Sequence, residues 1–156
     1  VVGVKLEAES GIVDFTTVLE SVQVYANGGL TTSIGVDFIN TSLFEADMQP
    51  RLDNVFVSGD DVGVRISGTS QPALTKVTAF GDVALEIKQP LSLFNPVLES
   101  RFNGVTTDVK AIDGVTATIV DSFFYGTGVV DFSGGSSVTC IAVNDQIGPL
   151  DSTCAN

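Results

Sequence analysis

The sequence has no histidine, no tryptophan, one methionine and two cysteines, and only seven lysines and arginines against nineteen aspartates and glutamates. Without histidine there is no serine–histidine or cysteine–histidine nucleophile system. Two cysteines alone are too few for a zinc site. The formal net charge of −12 repels phosphate backbones and anionic lipid, so nucleic acid and membrane surfaces are not expected partners. No apolar run approaches the ~20 residues that cross a bilayer, so no membrane insertion is expected. No phosphate-binding glycine loop is present: "SGGSS", Ser133–Ser137, has no lysine or helical pattern after it and reads as a turn. The sequence shows neither an initiator methionine nor a signal segment, and the expectation is a processed protein or an excised domain.

What remains is a chain of 156 residues, 44% hydrophobic, long enough for one domain with a sizeable core. Its two cysteines, Cys140 and Cys154, could close a loop of about 15 residues, worth roughly 3 kcal/mol in the chain-entropy model. Free thiols are the alternative. A disulfide implies an oxidising compartment, so the expected location is extracellular or at the cell surface.

The chain repeats itself. An apolar–charged–apolar triplet recurs around Lys5, Asp37, Arg65, Glu86, Lys110 and Asp131. A second element precedes it: "LESVQVYANG" from Leu19, "LDNVFVSG" from Leu52, "LTKVTAFG" from Leu74, "LESRFNG" from Leu98 and "VDSFFYG" from Val120. The glycines closing the last four, Gly59, Gly81, Gly104 and Gly126, are spaced 22, 23 and 22 residues apart. Short runs such as "VGVRI" and "VALEI" alternate with period two, β-branched residues are plentiful, and turn formers separate the runs. No sustained helical stripe exists; the best short candidate, "LFEADMQ", stops at Pro50 and reads as a loop turn.

Strands repeating at this period pair with their counterparts one repeat later. The expected fold is all-β: a single-domain parallel β-helix, or β-solenoid, of about six coils with a period of about 22 residues. Residues 1–51 form longer, irregular coils, 52–139 regular coils, and 140–156 a disulfide-closed C-terminal cap. These residues resemble the right-handed parallel β-helix of pectate lyases, phage tailspikes and bacterial surface proteins, and "CIAVNDQIGPLDSTC" resembles the closing segment of long secreted β-helix proteins.

Stacking turns each repeat position into a column. The triplet charges Lys5, Asp37, Arg65, Glu86, Lys110 and Asp131 alternate in sign at every step, as an exterior ladder of opposite-charge neighbours would. Such a ladder fixes register, because a slipped strand meets like charge. A second column follows the leucine: Glu20, Asp53, Thr75, Glu99 and Asp121. It reads as a solvated acidic edge; calcium bridging Glu20, Asp53, Glu99 and Asp121 is the alternative, and no other cofactor is expected.

The adjacent pair Asp60–Asp61 resembles the aspartate pair of polygalacturonases, which share the β-helix, but the accompanying histidine is absent. Aspartates after a glycine are also ordinary turn residues, and Asp82 follows Gly81 in the next repeat. Some lyases of this fold use calcium with a lysine or arginine as base, for which Arg51, Lys76, Lys88 and Arg101 are available. Tyr25, Phe123, Phe124 and Tyr125 are divided between two readings, a sugar-stacking face and core packing. Asn40-Thr41-Ser42 fits the glycosylation pattern. The expected function is that of a non-enzymatic structural or adhesive module of a surface protein, appendage or filament. The alternative is a polysaccharide lyase or glycosidase fragment, which would bring Asp60 and Asp61 onto one concave face with Lys76 or Arg101. The apolar opening strand, Val1–Leu6, has no cap, so other protein is expected against it, from an upstream segment or a neighbouring subunit. Carbohydrate is a further partner to consider.

Overall fold

The computed structural model describes residues 1–8, 17–29, 32–40, 50–68, 71–88, 96–126 and 130–155. Thr41 and Ser42 of the glycosylation pattern, and the "LFEADMQ" segment, lie outside the described residues. Among the described residues the chain is all-β, without helix.

The strands, numbered in chain order, form two sheets. The smaller runs β15 (Ser137–Ile141), β12 (Thr116–Val120), β10 (Val97–Leu98), β8 (Ala73–Thr75), β5 (Arg51–Asp53), β2 (Val18–Glu20). The larger has two limbs. One joins β3 (Gln23–Ala26), β6 (Phe56–Gly59), the first halves of β9 (Thr78–Lys88) and β11 (Arg101–Ile112), and β13 (Phe123–Phe124). The other joins β1 (Val2–Ala8), β4 (Ile34–Asn40), β7 (Val62–Gly68), the second halves of β9 and β11, and β14 (Val130–Phe132). All these pairings are parallel, and each strand faces the strand holding the same place one repeat later.

Alternation explains the core. In the second limb, Val36 and Phe38, Val64 and Ile66, Leu85 and Ile87, and Val109 and Ala111 all point inward and are fully buried. The smaller sheet adds Leu52, Leu74, Val97 and Ile119, and the first limb Val57, Ala79, Phe102 and Phe124. Burying one such large side chain contributes about 1.5–3 kcal/mol. Between the two limbs the backbone turns so sharply that a Cβ on Gly59 would lie 2.1 Å from the Val62 carbonyl oxygen, and one on Gly104 1.8 Å from that of Thr107. The recurring glycine is therefore the residue that lets the chain turn this corner. At Gly104 the corner also carries an irregularity: register shifts between Gly104 and Thr107, and exposed Val105 and Thr106 bulge outward.

A disulfide joins Cys140 and Cys154, with 5.2 Å between their Cα atoms. Cys140 also lies within β15, which pairs with β12 as far as Ile141, so regular pairing continues past residue 139.

Candidate functional site

The charge column falls in register. Lys5 lies opposite Asp37, Asp37 opposite Arg65, Arg65 opposite Glu86, Glu86 opposite Lys110, and Lys110 opposite Asp131. Its expected exterior position needs correction, because Asp37 is 2% exposed and Glu86 7%. Arg65 grips Asp37 with two bonds, Nε to Oδ1 at 3.0 Å and Nη2 to Oδ2 at 2.6 Å, and its guanidinium helps shield that carboxylate from water. Hydrogen bonding to Asp37 holds the Arg65 guanidinium above its ordinary value, against the opposing effect of burial. Other ion pairs run along one strand instead of across: Lys5–Glu7 at 2.6 Å and Lys88–Glu86 at 3.2 Å. Residues two apart on a strand share a face, so a flexible lysine finds this partner as readily as the cross-strand one.

The expected acidic column is split. Glu20, Asp53 and Thr75 do align, but Thr75 faces Leu98, and Leu98 faces Val120. The inward position runs Leu19, Leu52, Leu74, Val97, Ile119, Cys140. Counting seven residues back from Gly81, Gly104 and Gly126 reaches Leu74, Val97 and Ile119; matching leucine to leucine displaces the last two repeats by one residue. Glu99 and Asp121 consequently sit one position beyond Glu20 and Asp53. Among the described residues no three side chains of metal-ligating type gather into a group.

That next position forms a bend between the smaller sheet and the first limb. Its residues are Ser21, Asn54, Lys76, Glu99, Asp121 and Ala142, all with φ between 48° and 55°. Asparagine and aspartate tolerate the left-handed conformation; for serine, lysine, glutamate and alanine it costs roughly 1–2 kcal/mol each. Backbone hydrogen bonds hold the bend: Asn54 N–H donates to Thr75 O, Lys76 N–H to Leu98 O, and Glu99 N–H to Val120 O. Buried serines complete it. Ser100 Oγ accepts from Val77 N–H at 3.1 Å and donates to Leu98 O at 2.8 Å, and Ser122 Oγ accepts from Ser100 N–H and donates to Val120 O. Each hydroxyl thus satisfies a buried backbone donor beside the bend.

A cavity of ≈ 660 Å³, open to solvent, follows this bend; Lys76, Glu99, Arg101, Asp121, Phe123 and Tyr125 are among the residues lining it. A second, of ≈ 230 Å³, adjoins it: Asn54, Lys76 and Thr78 line both, and Phe56 lines the smaller. Lys76 and Glu99 approach to 3.8 Å. The aromatic residues divide by direction. Phe124 is buried, edge-on to Phe102 with ring centroids 6.2 Å apart. Phe123 and Tyr125 pair on the outside at 4.3 Å. Tyr25, Phe56 and Phe80 form an outer row with centroids 5.4 and 5.2 Å apart.

Asp60 and Asp61 line neither cavity. They sit at the glycine corner, where Asp60 Oδ2 accepts from Gly28 N–H at 2.8 Å and Asp61 Oδ2 from Ser33 N–H at 2.6 Å. Their own amides donate to carbonyls of the preceding repeat, and their carbonyls accept from Asp82 and Val83 of the next. Buried Asp108 acts similarly two corners on, accepting from Gly104 N–H and Gly126 N–H. These carboxylates knit corners together and are apart from Lys76 and Arg101. The trough itself escaped the sequence reading; the signal available was the charged-residue–serine pair that follows Val97-Leu98 and Ile119-Val120.

Compared with known proteins, the chain matches no family model, no curated protein and no solved structure.

Proposed function

We propose that the chain is a β-solenoid of about six coils serving as a non-enzymatic structural or adhesive module of an extracellular surface protein, appendage or filament, with other protein stacked on its N-terminal coil. Three parallel columns of counterpart strands support the solenoid reading. The disulfide fits an oxidising compartment.

One observation carries the stacking proposal. Residues at core positions are wet in the first coil: Val2 is 39% exposed where its register partner Ile34 is 3%, and Val22 is 37% exposed where Val55, next along the stack, is 2%. Among the described residues, strands β1, β2 and β3 each pair on one edge only. Apolar side chains beside unpaired backbone form a template for another strand layer. The enzyme reading has less support, since Asp60 and Asp61 do not meet Lys76 or Arg101 in one cavity.

Sedimentation of the isolated chain at rising concentration tests the proposal. Self-association is expected, and Val2→Lys with Val22→Lys should abolish it. A stable monomer at high concentration with β1 unpaired contradicts the reading.

A further inference from the structure

The trough along the left-handed bend carries features that stacking does not require. A bend needs only glycine, asparagine or aspartate at this position. Lys76 and Glu99 instead occupy it in consecutive repeats, at a conformational cost, followed by Asp121, and all three line the larger cavity. Arg101 and Asp121 line the same cavity, yet among the described residues neither side chain makes a hydrogen bond or ion pair. Their bonding capacity is left to solvent. Phe123 and Tyr125 stand beside them on the outer face, where the core gains nothing from a ring, and Tyr125 is 41% exposed.

We propose that this trough binds a neutral linear glycan lying along the stack axis. A sugar ring presents an apolar C–H face that packs on an aromatic ring, and a rim of hydroxyls that both donate and accept. Phe123, Tyr125 and Phe56 supply the ring faces. The planar fork of Arg101 donates to adjacent hydroxyl pairs, while the carboxylates of Glu99 and Asp121 accept from them. Neutrality follows from charge: Lys76 and Arg101 balance Glu99 and Asp121 locally, and the chain as a whole, at −12, repels polyanions. Linearity follows from shape. The two cavities share Asn54, Lys76 and Thr78 and so succeed one another across the repeats. Repeats spaced at ~4.8 Å come close to the advance of one hexose along an extended chain. An extended peptide is the poorer occupant, because it binds by adding to a strand edge, and β8, β10 and β12 are already paired on both edges.

The test titrates the isolated chain with short β-linked oligomers of glucose, xylose, mannose and galactose, followed by backbone and aromatic NMR, with an oligogalacturonate and an extended acidic peptide as controls. At least one neutral oligomer should saturably shift the resonances of Lys76, Arg101, Phe123 and Tyr125. Tyr125→Ala and Arg101→Ala should each weaken it about tenfold, a change of about 1.4 kcal/mol. Val105→Thr, on the exposed bulge away from the trough, should leave binding unchanged. Tyr125 and Arg101 are exposed, so both variants should keep the parent's melting temperature and isolate binding from folding. The proposal is overturned if no neutral oligomer binds at millimolar concentration, if either control binds more tightly, or if binding ignores both trough substitutions. The smaller cavity reaches Val22 and Gln23 at the β1–β3 edge, but Arg101 and Tyr125 line only the larger one, so their variants test this inference at residues the stacking test leaves unchanged.

Discussion

The two ends of the stack carry the same inward pattern and differ in what covers it. At the C-terminal end Val138, Cys140, Val143, Leu150 and Cys154 are all buried. The chain after β15 folds back over them: Leu150 N–H donates to Val143 O, Cys140 N–H donates to Ser152 O, and the disulfide pins the return. Asp151 Oδ1 accepts from Thr153 N–H, Thr153 Oγ1 and Ala155 N–H, which shapes the closing turn. At the N-terminal end the inward residues Val2 and Val22 are exposed, and Val4, Leu6 and Leu19 only partly buried. Sequence pattern sets which side chains point inward; burial requires a further layer. At one end the described residues include that layer, and at the other they do not.

The largest change to this contrast comes from the cap. Cys140→Ser with Cys154→Ser should lower stability by roughly 3 kcal/mol in denaturant unfolding and make the C-terminal end as labile as the other. An unchanged midpoint would mean that the return loop holds without its covalent tie.

A matched pair of valines reads the contrast directly. Val55 and Val22 occupy the same inward position in successive repeats. Val55→Ala should cost about 2 kcal/mol, from lost transfer energy plus a cavity, and Val22→Ala under about 1 kcal/mol. Equal costs would show that the first repeat is covered in the isolated chain.

How far the sequence reveals this architecture depends on the chemistry of each column. The charge column was legible because alternating strands set one charged residue between two apolar ones, and opposite signs mark the register. The glycine corner was legible because a Cβ on Gly59 or Gly104 would run into backbone, although the first repeat places Ala26 opposite Gly59. The apolar column of the smaller sheet misled, because Val97 and Ile119 fill the position that Leu52 and Leu74 fill elsewhere, and residue identity matters less to the core than volume. The left-handed bend has no single residue type: serine, asparagine, lysine, glutamate, aspartate and alanine share it because pairing with neighbouring repeats imposes the conformation, and a following serine marks it in only two repeats, at Glu99-Ser100 and Asp121-Ser122. The trough is built from side chains in different repeats, which only the stack brings together.

The bend offers a smaller adjustment near the middle of the stack. Lys76→Asn replaces a residue poorly suited to positive φ with one that tolerates it, beside Asn54, whose Nδ2 already donates to Ser21 Oγ at 3.2 Å. Stability should rise by up to about 1 kcal/mol. A loss would indicate that the Lys76–Glu99 contact outweighs the conformational cost.

The smallest effect is a pH response confined to the capped end. Hydrogen bonds from the Thr153 hydroxyl, then from the Ala155 and Thr153 amides, hold exposed Asp151 below the usual carboxylate range. A depressed carboxylate stabilises the fold above its unfolded value of about 3.9, and that contribution fades as pH falls through the lower folded value. Protection of the Thr153 and Ala155 amides should therefore decline on acidification below that range while β1 is unaffected, and Asp151→Asn should remove the response.

Residue-resolved amide exchange on the isolated chain, dilute enough to stay monomeric, tests the contrast between the ends most directly. Amides of β1 that face the open edge should exchange at nearly unprotected rates, alternating with slower ones bonded to β4, while Val138–Ile141, Val143, Leu150 and Cys154 exchange slowly and the second halves of β9 and β11 most slowly of all. Uniform protection through Val2–Ala8, equal to that of Val138–Ile141, would contradict an open N-terminal end.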